Sequence, residues 1–267
     1  AGAAAFLGRA ARLAFDRGRA PFSTLARLAP FIHLSVMRRV FAAAAAYLAA
    51  SVAAWADARL LDREAPQAVG RLNIGGQGFC TATLIAPDLA LTAAHCLENR
   101  RTGAIWRAER LVFLPGYALG EAPVVARAAA HARPEGRAPG RLHDDIAVLR
   151  LTARTQGVAP IPVRAGAAPG LSVETVSYGR DRPEAPSRQA GCTITARQGP
   201  LLMTDCEATP GVSGAPLLTR EGGALAVVGV VVAAAGARPP SLRGSAVAVA
   251  AGSVLAPLIE QLKEPSR

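Results

Sequence analysis

The chain has little aromatic surface and almost no lysine. Phe, Trp and Tyr make up 4% of 267 residues, too few to line a stacking platform for single-stranded nucleic acid. Lysine occurs once, at Lys263, so the formal charge of +11 is arginine charge. Residues 1–58 hold 7 of the 30 basic and 2 of the 19 acidic residues, which leaves a net +6 on the remainder. Those arginines are scattered along the chain, so no nucleic-acid partner is expected. Metal-ligand spacing is also missing. There is no C-x-x-C and no H-x-x-x-H, and four histidines spread through the chain complete no usual zinc set. Neither a metal nor a cofactor is expected.

Long apolar runs are equally scarce. "MRRVFAAAAAYLAASVAAWADA", residues 37–58, opens on Arg38 and Arg39, continues with 16 residues from Val40 to Trp55, and ends with Ala56 and Ala58. The run is short of the roughly 20 residues a spanning helix needs. A basic start, a short apolar centre and an A-x-A end are instead the layout of an export signal, cut after Ala58 to leave Arg59 first. No stable membrane anchor is expected. Residues 1–36, which precede that pattern, read as a non-native upstream extension. The functional domain is then 59–267, in the periplasm or secreted.

All four cysteines, Cys80, Cys96, Cys192 and Cys206, fall in that domain. An even number behind an export signal reads as two disulfides. Three pairings are open. The local one, 80–96 with 192–206, closes loops of about 15 residues, each contributing roughly 3 kcal/mol in the chain-entropy model.

Short apolar runs separated by Gly and Pro dominate the domain. "GFCTATLIAPDLALTAAHC" is two runs broken at Pro87–Asp88, a hairpin pattern. "RLVFLPG", "APVVARAAA", "DDIAVLRLT", "LSVETVSYG", "GCTITARQ", "PLLMTDC" and "GSAVAVA" have strand length. Gly222–Gly223 marks a tight turn inside "GAPLLTREGGALAVVGVVVAA". Only the end, "SVLAPLIEQLKE", has helical spacing, with Val254, Leu255, Leu258, Ile259 and Leu262 on one side. This is an all-β chain with one late helix, a barrel or a sandwich.

Three stretches carry chemistry when taken together: His95 in "LTAAHC", Asp145 beside Asp144 in "HDDIAVLRL", and Ser213 in "TPGVSGAPLL". A serine hydroxyl needs an adjacent base to become a nucleophile. An imidazole can serve, and a carboxylate can fix its tautomer and stabilise the imidazolium. Glycines beside the serine free backbone N–H groups to face an oxyanion.

These motifs resemble the chymotrypsin/trypsin family of serine proteases. "TAAHC" at 92–96 is the family's own string, "DIAVL" at 145–149 is similar to its D-I-A-L-L block, and "GVSGAP" at 211–216 is similar to its G-D-S-G-G-P. The resemblance spans about 66–264. It implies two antiparallel six-stranded β-barrels, about 66–160 and 161–252, followed by a C-terminal helix at about 253–264. It implies a triad of His95 as base, Asp145 as its orienting acid and Ser213 as nucleophile. Gly211 and Ser213 would donate the oxyanion-hole N–H groups, and Cys80 would pair with Cys96. The implied function is a serine endopeptidase, monomeric, acting on polypeptides. A non-catalytic binding protein on the same scaffold is the alternative, and the intact His95, Asp145 and Ser213 argue against it.

The chain also departs from the family. Val212 stands where trypsin-like zymogens carry an aspartate that pairs with a freed N-terminus, so that mode of activation is not expected. "AVGRLN" at 68–73 lacks the family's I-V-G-G. Bacterial branches that include the glutamyl endopeptidases also lack this aspartate and are more similar to this chain. Ala215 replaces the second glycine. Glu207, six residues before Ser213, occupies the place of a trypsin-like pocket-floor acid and would favour Arg or Lys substrates; a solvated turn carboxylate is the competing reading. Glutamyl specificity is disfavoured, because that branch uses a histidine beyond the serine and none follows His143 here.

Overall fold

The structure is a computed structural model, described here for residues 65–138, 140–236, 244–252 and 254–263. Residues 37–58, expected as an export signal, Arg59 and the upstream residues 1–36 lie outside the described residues.

Two closed antiparallel barrels of six strands each follow one another along the chain, in the neighbour orders β1-β2-β3-β6-β5-β4 and β10-β11-β12-β9-β8-β7. The first contains β1 (Val69–Ile74), β2 (Gly78–Ala86), β3 (Leu89–Thr92), β4 (Leu111–Pro115), β5 (Ala126–Ala132) and β6 (Ala147–Leu151). The second contains β7 (Ser172–Ser177), β8 (Ser187–Gln198), β9 (Leu201–Glu207), β10 (Pro216–Glu221), β11 (Ala224–Ala234) and β12 (Ser245–Ala250). Closure pairs every edge and removes the exposed ladder that an open sheet would present.

Local chemistry explains the hairpins. Ala86 pairs with Leu89, so Pro87–Asp88 is a two-residue turn. Glu221 pairs with Ala224 across Gly222 and Gly223, whose φ values of 57° and 87° are those of a turn that only glycine enters without strain. In β4, "LVFLP" alternates buried and half-buried residues, with Leu111, Phe113 and Pro115 facing inward. That is the period of two expected where one face meets the core. β11 instead has seven consecutive buried residues, Ala226 to Val232, because both of its faces are covered.

Two expectations need adjusting at element ends. "APVVARAAA" becomes a strand only from Ala126, leaving Val125 exposed. "GCTITARQ" is the second half of a longer strand, β8, whose polar beginning "SRQA" gave no apolar signal. The helix α1 (Leu255–Lys263) buries Leu258 and Leu262, and it packs back on β5 and β6 of the first barrel. No helix among the described residues is long and apolar enough to cross a membrane.

Candidate active site

β3 leads to His95, and Asp145 precedes β6. The two strands pair antiparallel, with Leu91 opposite Val148 and Thr92 opposite Ala147. Continuing that register brings the chain just after β3 beside the chain just before β6. After β3 the chain forms a 3₁₀ turn at Ala94–Leu97, which buries Ala94, Cys96 and Leu97 and leaves His95 half-exposed. Asp145, buried next to Ile146, meets it there. The His95 ring Nδ1 lies 2.7 Å from Asp145 Oδ2, and the His95 backbone N–H donates to Asp145 Oδ1 at 2.8 Å. With Nδ1–H donating to the carboxylate, Nε2 is left as the acceptor.

Asp145 has a further partner that the sequence did not disclose. Arg137 Nη2 is 3.0 Å from Asp145 Oδ1, and Arg137 Nη1 also pairs with Glu98. The side chains of Arg137 and Asp145 are 1% and 2% exposed. The buried Asp145 carboxylate and the half-buried Glu98 carboxylate therefore face one buried guanidinium, the balance that makes charge burial tolerable. Asp144 points elsewhere and pairs with Arg141 at 2.9 Å.

Ser213 comes from the second barrel, on the turn between β9 and β10. Its carbonyl accepts from the Thr81 N–H on β2 at 2.9 Å. Thr81 also accepts from Thr92 Oγ1 through its carbonyl, at 2.8 Å, and from the Tyr178 N–H through its own hydroxyl, at 3.0 Å. One buried threonine thus ties the serine turn to the strand that leads to His95. His95 and Ser213 share the wall of one cavity. Among the described residues no hydrogen bond joins their side chains, a looseness common in unliganded catalytic sites.

The glycines flanking Ser213 have steric reasons to be glycine. Gly211 (φ 106°) would place a Cβ 2.8 Å from the Tyr178 carbonyl and 2.9 Å from the Arg180 nitrogen. Gly214 (φ 85°) would place one 2.1 Å from the Thr81 carbonyl and 2.3 Å from Thr92 Oγ1. Among the described residues, the N–H groups of Gly211 and Ser213 donate to no other group, although Val212, Gly214 and Ala215 all donate within the protein. Two unengaged donors beside a serine hydroxyl are what an oxyanion requires.

Cys80 and Cys96 are joined, with sulfurs 2.03 Å apart, and so are Cys192 and Cys206. Cys96 Sγ lies 3.9 Å from both His95 Nε2 and the Ser213 carbonyl. A disulfide sulfur has no proton, so these are packing contacts. Cys80, His95 and Cys96 are close enough together to suggest a metal cluster, but bridged sulfurs offer no thiolate ligands.

Glu207 is exposed at the end of β9, where its backbone N–H and C=O bond to the Gln189 side chain. The structure does not bring it to the cavity shared by His95 and Ser213. Arg137, Glu98 and Thr81 were all missed at the sequence level. The only signal available for Arg137 was an arginine within a Gly/Pro-rich segment.

Residues 80–230 match the trypsin-like peptidase domain, more than half of the chain. The chain belongs to the trypsin-like peptidase family and is a serine protease. Its fold is similar to three solved bacterial-type enzymes. A glutamyl endopeptidase in complex with MPD has 19% identity and a TM-score of 0.63, over 75% of this chain and 92% of that one. Protease Anisep from Arthrobacter nicotinovorans has 22% identity and a TM-score of 0.60, over 73% and 95%. The thermostable serine protease AL20 from an extremophilic microorganism has 21% identity and a TM-score of 0.58, over 70% and 92%. No curated protein matches the chain in sequence.

Proposed function

We propose that this chain is a secreted or periplasmic serine endopeptidase, monomeric and without a membrane anchor, that uses Ser213, His95 and Asp145 as its triad. The observation that supports it most is the buried Asp145 carboxylate 2.7 Å from His95 Nδ1, in a cavity whose wall Ser213 shares. His95 Nε2 takes the Ser213 Oγ proton as Oγ bonds to the scissile carbonyl carbon. The carbonyl oxygen becomes an oxyanion held by the N–H groups of Gly211 and Ser213. The imidazolium, stabilised by Asp145, then gives its proton to the leaving amine as the C–N bond breaks. Water, deprotonated by His95, releases the acyl group from Ser213 in the same manner.

The test is labelling with a fluorophosphonate, which reacts only with an activated serine. The wild-type chain is labelled and Ser213→Ala is not. Asp145→Asn folds and loses about four orders of magnitude in kcat, the cost known for the wrong imidazole tautomer in related triads. Asp144→Asn retains most activity; the reverse pattern would move the assignment by one residue. A folded wild-type chain that takes no label would leave the non-catalytic binding protein as the better reading. Export is tested by mass spectrometry of the secreted chain, which is expected to start at Arg59. A trypsin-like preference for Arg or Lys through Glu207 is tested by Glu207→Gln.

A further inference from the structure

The cavity that His95 and Ser213 share is also lined by the Cys80–Cys96 disulfide and bordered by Arg100, Arg101 and Arg180. Arg100 and Arg101 come from the loop after the His95 turn, in the first barrel. Arg180 comes from the loop after β7, in the second. All three are exposed, and among the described residues none of their side chains has a hydrogen-bond or ion-pair partner. Exposed arginines elsewhere divide: Arg107, Arg141 and Arg220 pair with Glu109, Asp144 and Glu174, while Arg127, Arg150, Arg154 and Arg164 have no side-chain partner among the described residues, so it is the shared cavity and not the lack of a partner that sets these three apart. Among the described residues the only acid bordering the cavity is Glu98, and the buried Arg137 neutralises it. Three unpaired arginines from two barrels thus border one concave surface, with no free counter-charge among the described residues that line it.

The chemistry fixes which half of a substrate would enter it. His95 must protonate the leaving amine, so the residue after the scissile bond lies against the imidazole. That imidazole and the disulfide line the same cavity. At about 3.4 Å per extended residue, the first two residues of the leaving segment span about 7 Å from the scissile bond, and Arg100, Arg101 and Arg180 border the cavity they would enter. Its volume of about 220 Å³ is below the roughly 300–1,000 Å³ of small-molecule sites and suits a side chain.

We propose that this cavity is a carboxylate-binding subsite for the leaving segment, so that the enzyme prefers bonds followed within two residues by Asp or Glu, or by a free chain end. The proposal rests on the peptidase reading above. Guanidinium forks match carboxylates in planar, bidentate geometry. Exposed pairs are individually weak and screened by salt. Three charges on one partly enclosed site give a preference of about three- to tenfold.

The experiment is digestion of a denatured protein mixture with the full chain, with cleavage sites mapped by mass spectrometry. Acids are expected to be enriched at the first two positions after the cut. Arg180→Glu, and Arg100→Glu with Arg101→Glu, are expected to turn that enrichment toward Lys and Arg. The enrichment in wild type is expected to shrink as salt rises from about 0.05 to about 1 M. Short peptides with free or amidated C-termini separate the two carboxylate sources. A gain confined to free C-termini assigns the subsite to the chain end, and a gain with internal acids in amidated peptides assigns it to side chains. Cleavage with neither acid enrichment nor a gain at free C-termini overturns the proposal, as does an enrichment or gain indifferent to both charge reversal and salt. In either case fluorophosphonate labelling of the wild type leaves the peptidase reading standing. Absence of both cleavage and labelling overturns both.

Discussion

Arg137 Nη2 sits 3.0 Å from Asp145 Oδ1, and neither side chain reaches solvent. The guanidinium also pairs with Glu98, next but two to His95 in the chain. It therefore supports Asp145 from behind while bracing the turn that holds His95. Arg137→Met would leave the buried Asp145 carboxylate, and the half-buried Glu98 beside it, without their counter-charge, a change that typically costs about 3–5 kcal/mol. Urea unfolding is expected to show that loss, and Glu98→Gln added to Arg137→Met is expected to recover part of it. Turnover should respond as well. A displaced Asp145 lowers kcat by about 10²-fold with little change in KM. Guanidinium at low, non-denaturing concentration restores part of that kcat in Arg137→Met and does nothing for wild type. Equal losses in a distant destabilised control, with no rescue, would reduce Arg137 to a folding role.

Gly214 supports a second prediction. A Cβ there would lie 2.1 Å from the Thr81 carbonyl, inside the contact that joins the two barrels behind Ser213. The φ of 85° adds strain for any L side chain. Gly214→Ala is expected to cost about 3 kcal/mol or more and to abolish fluorophosphonate labelling. Gly223→Ala, at a similar φ but with nothing within 4 Å of the added carbon, is expected to cost about 1 kcal/mol and leave labelling intact. Similar losses at both positions would show that backbone strain, not the barrel contact, governs Gly214.

How far these features were visible in advance depended on how local they were. Pro87–Asp88 and Gly222–Gly223 announce their turns because turn chemistry resides in the turn residues. His95, Asp145 and Ser213 were legible through short strings whose order matched a family. Arg137 was not. Its partners are 39 residues before and 8 after it, and an arginine among Gly and Pro reads as solvated until folding closes the barrel over it. Thr81 was hidden for the same reason, since its role lies in bonds to Thr92, Tyr178 and Ser213 from three other segments. The arginines around the cavity were legible as charge but not as a cluster, because convergence from two barrels leaves no spacing in the sequence.

The Tyr117 hydroxyl donates to the Glu184 carboxylate, which also pairs with Arg71 at 2.8 Å. This Tyr117 bond, with Arg71 assisting, holds the Glu184 carboxyl below its ordinary value of 4.5. The same bond, with burial and the Glu184 charge, pushes the Tyr117 hydroxyl above its ordinary value of 10.0. A depressed acid stabilises the fold above its unfolded value, and the contribution fades as pH falls through the folded one. A raised phenol stabilises below its unfolded value, and the contribution fades as pH climbs past the folded one. The pair therefore supports the fold between about 4.5 and 10. Glu184→Gln is expected to flatten the fall in Tm below that range, and Tyr117→Phe the fall above it. Unchanged Tm–pH curves in both variants would show that this contact contributes nothing to the linkage.

Val212 decides how the oxyanion turn is held. Its side chain is 8% exposed and packs in the second apolar cluster with Ala215, Leu217 and Val231. The turn around it is closed by bonds within the domain: Arg180 N–H to the Pro210 carbonyl at 2.8 Å, Gly214 N–H to the Val231 carbonyl at 2.7 Å, and Ala215 N–H to the Val212 carbonyl at 2.9 Å. An ammonium brought to this position would find a methyl group where a counter-charge is needed. Activity is therefore expected to appear on folding alone. Adding a few residues before Arg59, or acetylating the amine, should change the rate on a peptide substrate by less than about threefold, well under 1 kcal/mol of transition-state binding. Val212→Asp should bury a carboxylate among apolar side chains, at a cost of about 2–4 kcal/mol, and slow the enzyme. Val212→Ile, which keeps the apolar contact, should leave the rate near that of wild type. Strong silencing by an N-terminal extension, reversed by cleavage near Val69, would mean that a freed terminus does order the turn through some other acid.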